Sequence, residues 1–135
     1  MFERILTYAD MPARAAMSAI FILSGVSKLS EFAATQGYME AFGLPGALLA
    51  PTIAFEIGAG MALLLGIAVR QVAFVLAGFS LVTALIFHGD PSDQIQTIMF
   101  LKNVAMAGGL LLLAQVGSSH FRLDRIFKAR GAMAS

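Results

Sequence analysis

The sequence predicts an all-α membrane protein: a bundle of four transmembrane helices with short amphipathic helices at its two ends. Of the 135 residues, 59% are hydrophobic and 13% are charged, which lies outside the usual composition of a soluble domain. The mean hydropathy of +0.82 agrees with this. Apolar stretches that approach the ~20 residues needed to cross a bilayer fill most of the chain, so residues 1–135 are interpreted as a single membrane domain.

The first third of the chain predicts a surface segment, a span and a second interfacial segment. Phe2, Ile5 and Leu6 recur at helical spacing, as in a helix lying on a membrane, although a frayed terminus fits equally well. The first span covers about residues 12–29. A cleavable signal peptide is the competing interpretation, but acidic residues precede the apolar run and no clear cleavage site follows it. Residues 31–44 are more polar and favour an interfacial or partly re-entrant segment.

Three further spans are predicted at about residues 46–67, 72–87 and 95–116. Only a few residues around Arg70 connect the second span to the third, so these two helices must run antiparallel. A Gly, Pro and Asp-rich turn at residues 88–93 leads to the fourth. Residues 120–130 then alternate apolar and basic residues, which indicates an amphipathic anchor on an anionic membrane surface.

The distribution of charge predicts the orientation of these spans. An excess of basic residues marks the cytoplasmic side of a membrane protein. The acidic residues Glu31, Glu40, Asp90 and Asp93 all fall on the opposite side. Both termini are therefore predicted to be cytoplasmic, on the side that carries Arg4, Arg14, Arg70, Arg122, Arg125, Lys128 and Arg130.

Composition also argues against several functions. The chain has no cysteine, and therefore no disulfide, thiolate metal site or thiol relay of its own. With two histidines, an internal metal site is not expected. The net charge of +1 and the clustering of basic residues at membrane ends do not favour nucleic-acid binding.

Glu56 is the leading candidate for a functional residue, because it lies near the middle of the second span. An ionisable group at the centre of a transmembrane helix costs roughly 2.5 to 3.5 kcal/mol on insertion scales, so it needs a compensating role. Glu56 must be protonated, hydrated or paired with Lys28 or Lys102, and the sequence does not choose between them. A structural ion pair and a role in ligand or proton binding both remain open.

Four other polar residues are predicted to share a pocket with Glu56 that opens to the outer side. Lys102 and Asn103 lie roughly 9 to 12 Å below the outer end of the fourth span at 1.5 Å per residue. Lys28 and His88 lie near the outer boundary. Lys28 fits a snorkelling anchor as well as a ligand-binding group, and His88 fits a hydrogen-bonded helix end as well as a proton relay.

Several short motifs, in this order, resemble one known family. They are Ser24-Gly25-Val26-Ser27-Lys28, Phe55-Glu56-Ile57-Gly58, Leu63-Leu64-Leu65-Gly66, His88, and Leu101-Lys102-Asn103 before Gly108-Gly109. Over about residues 14–114 the chain thus resembles the DoxX family of small bacterial membrane proteins. The resemblance implies a four-span protein of the bacterial inner membrane, with relatives in membrane oxidoreductase complexes that reduce quinone or serve oxidative-stress defence. The resemblance also implies that five residues lie at typical polar positions of the family: Lys28, Glu56, His88, Lys102 and Asn103.

Three functions follow as expectations. The first is a membrane subunit of a quinone-linked redox system, in which Lys102 or His88 binds the quinone carbonyls and Glu56 exchanges a proton. Any redox chemistry then needs a bound quinone or a redox partner protein, since the chain has no soluble redox domain of its own. The second is a small-molecule or proton-coupled transporter, although no inverted repeat is evident. The third is a scaffold that binds partners through residues 122–130, and a homo-oligomer is compatible with each.

Overall fold

The structure is a computed structural model that describes residues 1–118 and 123–134, without the side chain of residue 124. All regular structure in these residues is helical, which confirms the predicted fold class. The helices are α1 (Phe2–Thr7), α2 (Asp10–Ser30), α3 (Phe32–Ala41), a 3₁₀ turn (Gly46–Leu48), α4 (Leu49–Leu65), α5 (Val69–Phe87), α6 (Gln94–Val116) and α7 (Leu123–Ala134). Residues 120–122 of the predicted amphipathic tail lie outside the described residues.

Three helical segments are long and apolar enough to cross a membrane: Gly46–Leu65, Val69–Phe87 and Gln94–Val116. Taken together, α2 and α3 have the length and hydropathy of a fourth candidate crossing, although the pair is bent by 100°. Arg14 and Lys28 lower the hydropathy of α2, so α2 alone is less apolar than the other three segments. The predicted interfacial segment at residues 31–44 is thus mainly a helix, α3, turned sharply away from the axis of α2.

Local signals in the sequence set the helix ends around the bundle. Gly66 ends α4 with a φ of 76°, a left-handed conformation that favours glycine, and α5 begins within three residues. At the start of α6, the side chain of Asp93 accepts hydrogen bonds from the backbone N–H groups of Ile95 and Gln96. These caps make the α4–α5 and α5–α6 connections short and fix antiparallel neighbours.

The bundle consists of two antiparallel helix pairs, α2 with α4 and α5 with α6, and these pairs make its most extensive contacts. The two helices joined by the tight turn, α4 and α5, are antiparallel as expected but contact each other much less. A buried core of Phe21, Leu63, Leu76 and Leu110 joins the pairs. It lies toward one end of the bundle, and the looser contact between α4 and α5 leaves room for a cavity toward the other end.

The two ends of the bundle are distinguished below by name. The terminal face holds the start of α2, the end of α4, the start of α5 and the end of α6, as shown by contacts from Arg14 to Leu64 and from Arg70 to Val116. The distal face holds the opposite ends, where His88 contacts Gln96. The helices α1 and α7 adjoin the terminal face.

Candidate functional site

A cavity of about 400 Å³ opens in the distal half of the bundle. It lies between α2, α3, α4 and α5, and most of its wall is apolar, with Leu48, Phe79 and Ile86 among the lining residues. A few polar side chains interrupt this wall: Ser24, Lys28, Thr35, Thr52, Glu56, Thr83 and His88. An apolar chamber with a small number of polar groups is the usual composition of a small-molecule site.

The strongest polar feature of the cavity is an ion pair between Lys28 and Glu56. Lys28 Nζ lies 3.1 Å from Glu56 Oε1 and 3.0 Å from Oε2. Ser24 Oγ donates to Glu56 Oε1 at 3.2 Å and accepts from Lys28 Nζ at 2.6 Å, so three side chains form one closed network. Glu56 is only 4% exposed. The pairing partner that the sequence could not choose is therefore Lys28, which is turned inward instead of snorkelling to the surface.

Helix periodicity and a glycine place these groups together. Ser24 and Lys28 are four residues apart on α2, so both point to the same side of that helix. Gly25 lies between them, where a Cβ atom would come within 2.5 Å of Ile57 Cγ1 and 3.5 Å of Glu56 Cβ. Glycine at this position lets α4 approach closely enough for a carboxylate to meet the lysine of α2.

His88 lies at the end of α5, where it lines the same cavity near the distal face. Its Nδ1 atom is 2.7 Å from Oε1 of Gln96. With the amide oxygen as acceptor, Nδ1 carries the hydrogen and Nε2 of a neutral imidazole is left as an acceptor. In the adjacent loop, Asp90 accepts hydrogen bonds from the hydroxyl and from the backbone N–H of Ser92. These two bonds, the one from the hydroxyl first, hold the pKa of the Asp90 carboxyl below its usual value.

Lys102 and Asn103 differ from the expectation, because neither lines the cavity. Lys102 is exposed on α6, and Asn103 Nδ2 donates to the backbone oxygen of Met99 in the same helix at 2.9 Å. The physical reason is the pairing of helices. Since α6 packs mainly on α5, it stands away from the α2–α4 pair that carries the ion pair. The structure thus brings together Lys28, Glu56 and His88, and leaves the other two predicted residues apart.

An aromatic cluster at the distal face was not singled out from the sequence. Tyr38 of α3 stacks on Phe87 of α5 with ring centroids 5.6 Å apart, and Phe42 packs against both rings. Tyr38 and Phe87 also line the cavity. Because α3 is bent away from α2, it lies across the distal end of the cavity and supplies this aromatic wall. The signal that could have indicated it is the helical spacing of Tyr38 and Phe42.

Arg14, one of the basic residues that the sequence predicts on the cytoplasmic side, is buried in the bundle and only 2% exposed. Its Nη1 donates to the backbone oxygens of Leu63 and Leu64 at 3.3 Å each, and its Nε lies 3.6 Å from Asp10 Oδ2. The last carbonyls of a helix have no intrahelical partner, so this arginine satisfies two of them at the end of α4. Arg14 therefore holds the α2–α4 pair at the terminal face, opposite the cavity.

No group of three histidine or acidic side chains among the described residues could hold a metal ion. The polar network of the cavity is instead suited to hydrogen bonding and proton exchange. Its lysine donates, its carboxylate accepts or carries a proton, and the histidine can do either.

Comparison with known proteins gives consistent matches over most of the chain. The DoxX family model matches residues 9–89, a range that includes Lys28, Glu56 and His88 but not Lys102. The Escherichia coli (strain K12) protein named "Inner membrane protein YqjF" is 41% identical over 118 residues, which cover 87% of this chain and 91% of the relative. "Inner membrane protein YphA" from the same organism is 38% identical over 121 residues, covering 84% and 86%. No solved structure matches.

Proposed function

This chain belongs to the DoxX family, and from that premise we propose that it is an inner-membrane subunit of a quinone-linked redox system. The distal cavity is proposed to hold the quinone headgroup. The location agrees with the names of these two inner-membrane relatives. The redox assignment rests on the family resemblance together with the character of the cavity.

The observation that carries the proposal is a charged pair in the wall of an otherwise apolar chamber. A volume of about 400 Å³ lies within the usual range for small-molecule sites. Carboxylates inside membrane bundles are costly, and they commonly mark a ligand or proton pathway. If the pair served helix association alone, tight packing around it would stabilise the bundle better than a cavity. A flat ligand with polar oxygens at one edge fits these walls.

The residues of the chain divide the proposed chemistry between them. A bound quinone would take up two electrons from a partner protein together with two protons. Lys28 Nζ can donate a hydrogen bond to a ligand oxygen, and Glu56 can give up or take a proton beside it. His88 is positioned near the distal opening to exchange protons with water. The apolar walls of the rest of the chamber disfavour bound water.

The proposal is tested by mass spectrometry of small molecules that co-purify with the protein in mild detergent. Lys28→Gln removes the ammonium group that donates to the ligand oxygen, and we expect it to reduce bound quinone about tenfold, the loss of one charge-assisted hydrogen bond. Lys102→Gln removes a charge from the same bundle outside the cavity and is the matched control, which should retain quinone. Equal quinone in all three proteins would overturn the assignment.

Transport is the alternative function, and one observation bears on it. A carrier must open its site alternately to both sides of the membrane, whereas the core residues Phe21, Leu63 and Leu76 fill the bundle between the cavity and the terminal face. The described structure is therefore closer to a binding chamber open in the distal half than to a conduit. Uptake of a solute by vesicles containing the purified protein, lost in Glu56→Gln, would favour the carrier.

A further inference from the structure

A second polar cavity lies at the terminal face, far along the helices from the proposed quinone site. Its volume is about 320 Å³, and it is bounded by the start of α5, the end of α6 and one residue of α7. Two cations from different helices line it, Arg70 and Lys128. Gln71 and Ser118 contribute further polar groups, and no acidic side chain is among the described residues of its lining. Its chemistry is therefore that of an anion site.

Arg70 is held in place by the end of α6. Its Nη2 donates to the backbone oxygen of Val116 at 3.4 Å. Gly117 has a φ of 73°, and a Cβ atom there would lie 2.9 Å from Arg70 Nε, so the guanidinium lies directly against the glycine backbone. A guanidinium has five N–H donors. The contact with Val116 therefore orients Arg70 and leaves it able to donate to a ligand in the cavity.

The first turn of α5 adds to the positive potential of the same cavity. Ala68, Val69, Arg70 and Gln71 all line it, and the N-cap residue Ala68 has a left-handed φ of 45° and supplies no side-chain cap. The N-terminal end of a helix carries a partial positive charge. That charge reinforces the two side-chain cations, which are the principal basis of the site.

The position of α7 indicates that the anion belongs to a lipid. On this helix Ile126, Phe127 and Met133 are exposed together with basic residues, a combination typical of a helix in the membrane interface. The cavity lies at the ends of two membrane-spanning helices, at the depth of the headgroups. Basic pockets at such positions are known to bind anionic phospholipids.

We propose that the cavity formed by Arg70, Gly117 and Lys128 binds the phosphate of an anionic phospholipid headgroup. Arg70 donates to the phosphate oxygens from the bundle, and Lys128 closes over the headgroup from α7. The bound lipid then links α7 to the α5–α6 pair. This inference does not depend on the proposed quinone site.

Native mass spectrometry of the full chain tests it, with phosphatidylglycerol or phosphatidylcholine added to the detergent-solubilised protein. We expect phosphatidylglycerol to bind in preference to phosphatidylcholine, and Arg70→Gln and Lys128→Gln each to weaken its binding about tenfold. Arg130→Gln removes a charge from the exposed part of α7 outside the cavity and should change binding less than twofold. Lys128 lies on the exposed surface of α7, so its variant should retain the fold even if Arg70→Gln does not.

Two results would overturn the proposal. Equal loss of phosphatidylglycerol in Lys128→Gln and Arg130→Gln would show only a general attraction of the basic helix for anionic lipid. Displacement of phosphatidylglycerol by millimolar inorganic phosphate would assign the cavity to free phosphate instead. Retention of phosphatidylglycerol binding by Arg70→Lys, against its loss in Arg70→Gln, would support a role for the cation.

Discussion

At the scale of single residues, the closed network of Ser24, Lys28 and Glu56 dominates the chemistry of this protein. Each member depends on the others, because the carboxylate is almost fully buried and the lysine reaches it from a neighbouring helix. Removing one partner of a buried ion pair leaves an uncompensated charge, whereas replacing both can be neutral or stabilising. The stability of the bundle should therefore respond differently to single and double substitutions.

We expect Lys28→Met to lower the free energy of unfolding by about 1–3 kcal/mol, below the 3–5 kcal/mol of a fully buried pair because Lys28 is partly exposed. The double variant Lys28→Met with Glu56→Gln should recover most of this loss, since no charge then remains in the cavity wall. Thermal unfolding in detergent measures both. A double variant less stable than Lys28→Met alone would contradict the idea that the uncompensated carboxylate causes the loss.

At the scale of elements, the close approach of α2 and α4 sets the geometry of the site. Gly25 and Gly60 lie at their contact, and a Cβ atom on Gly60 would come within 2.8 Å of Ile22 Cγ1 and 3.4 Å of the Ile22 backbone nitrogen. Because the Ile22 backbone also lies close, the Ile22 side chain has little room to move away from an added Cβ atom. Packing of these two helices, and through it the distance from Lys28 to Glu56, therefore depends on the absence of a side chain at these positions.

We expect Gly60→Ala to destabilise the protein by about 1–3 kcal/mol, as overpacking of a close contact does. Gly58→Ala is the matched control in the same helix, because a Cβ atom on Gly58 would meet no atom within 4 Å. That change should be neutral or slightly stabilising, since alanine favours the helix more than glycine does. Thermal unfolding of the two variants side by side decides the matter, and equal destabilisation would count against close α2–α4 packing.

At the scale of the whole molecule, the two faces of the bundle have different electrostatic character. Arg70, Arg125, Lys128 and Arg130 lie at the terminal face, whereas Asp90 and Asp93 lie in the loop of the distal face. An excess of basic residues favours the cytoplasmic side. We therefore propose that the terminal face is cytoplasmic, so that the cavity proposed to bind quinone lies in the outer half of the membrane.

Cysteine labelling tests this orientation against a zero background, because the chain contains no cysteine. Ser92→Cys lies in the exposed distal loop and Met133→Cys in exposed α7. In spheroplasts from which the outer membrane has been removed, a membrane-impermeant maleimide should modify Ser92→Cys, and should modify Met133→Cys only after the membrane is opened. The reverse pattern would invert the proposed topology.

The sequence by itself determined the class of the fold and singled out one residue as a candidate. The hydropathy of the chain requires helices, because backbone groups in hydrocarbon must be hydrogen-bonded within the segment. Glu56 stood out because a carboxyl in an apolar span is costly wherever its helix packs. Both conclusions depend only on local composition, and for that reason they needed no knowledge of neighbouring helices.

Only the tertiary structure decided which polar groups meet. Depth in the membrane follows from position along a helix, but the direction of a side chain around the bundle depends on which helices pair. Lys28 and Lys102 were both candidate partners of Glu56, and the pairing of α2 with α4 selected Lys28 and left Lys102 exposed on α6. The same pairing buried Arg14 at the end of α4. The bend after α2 placed Tyr38 over the cavity, because rotation and bending of helices are set by long-range packing.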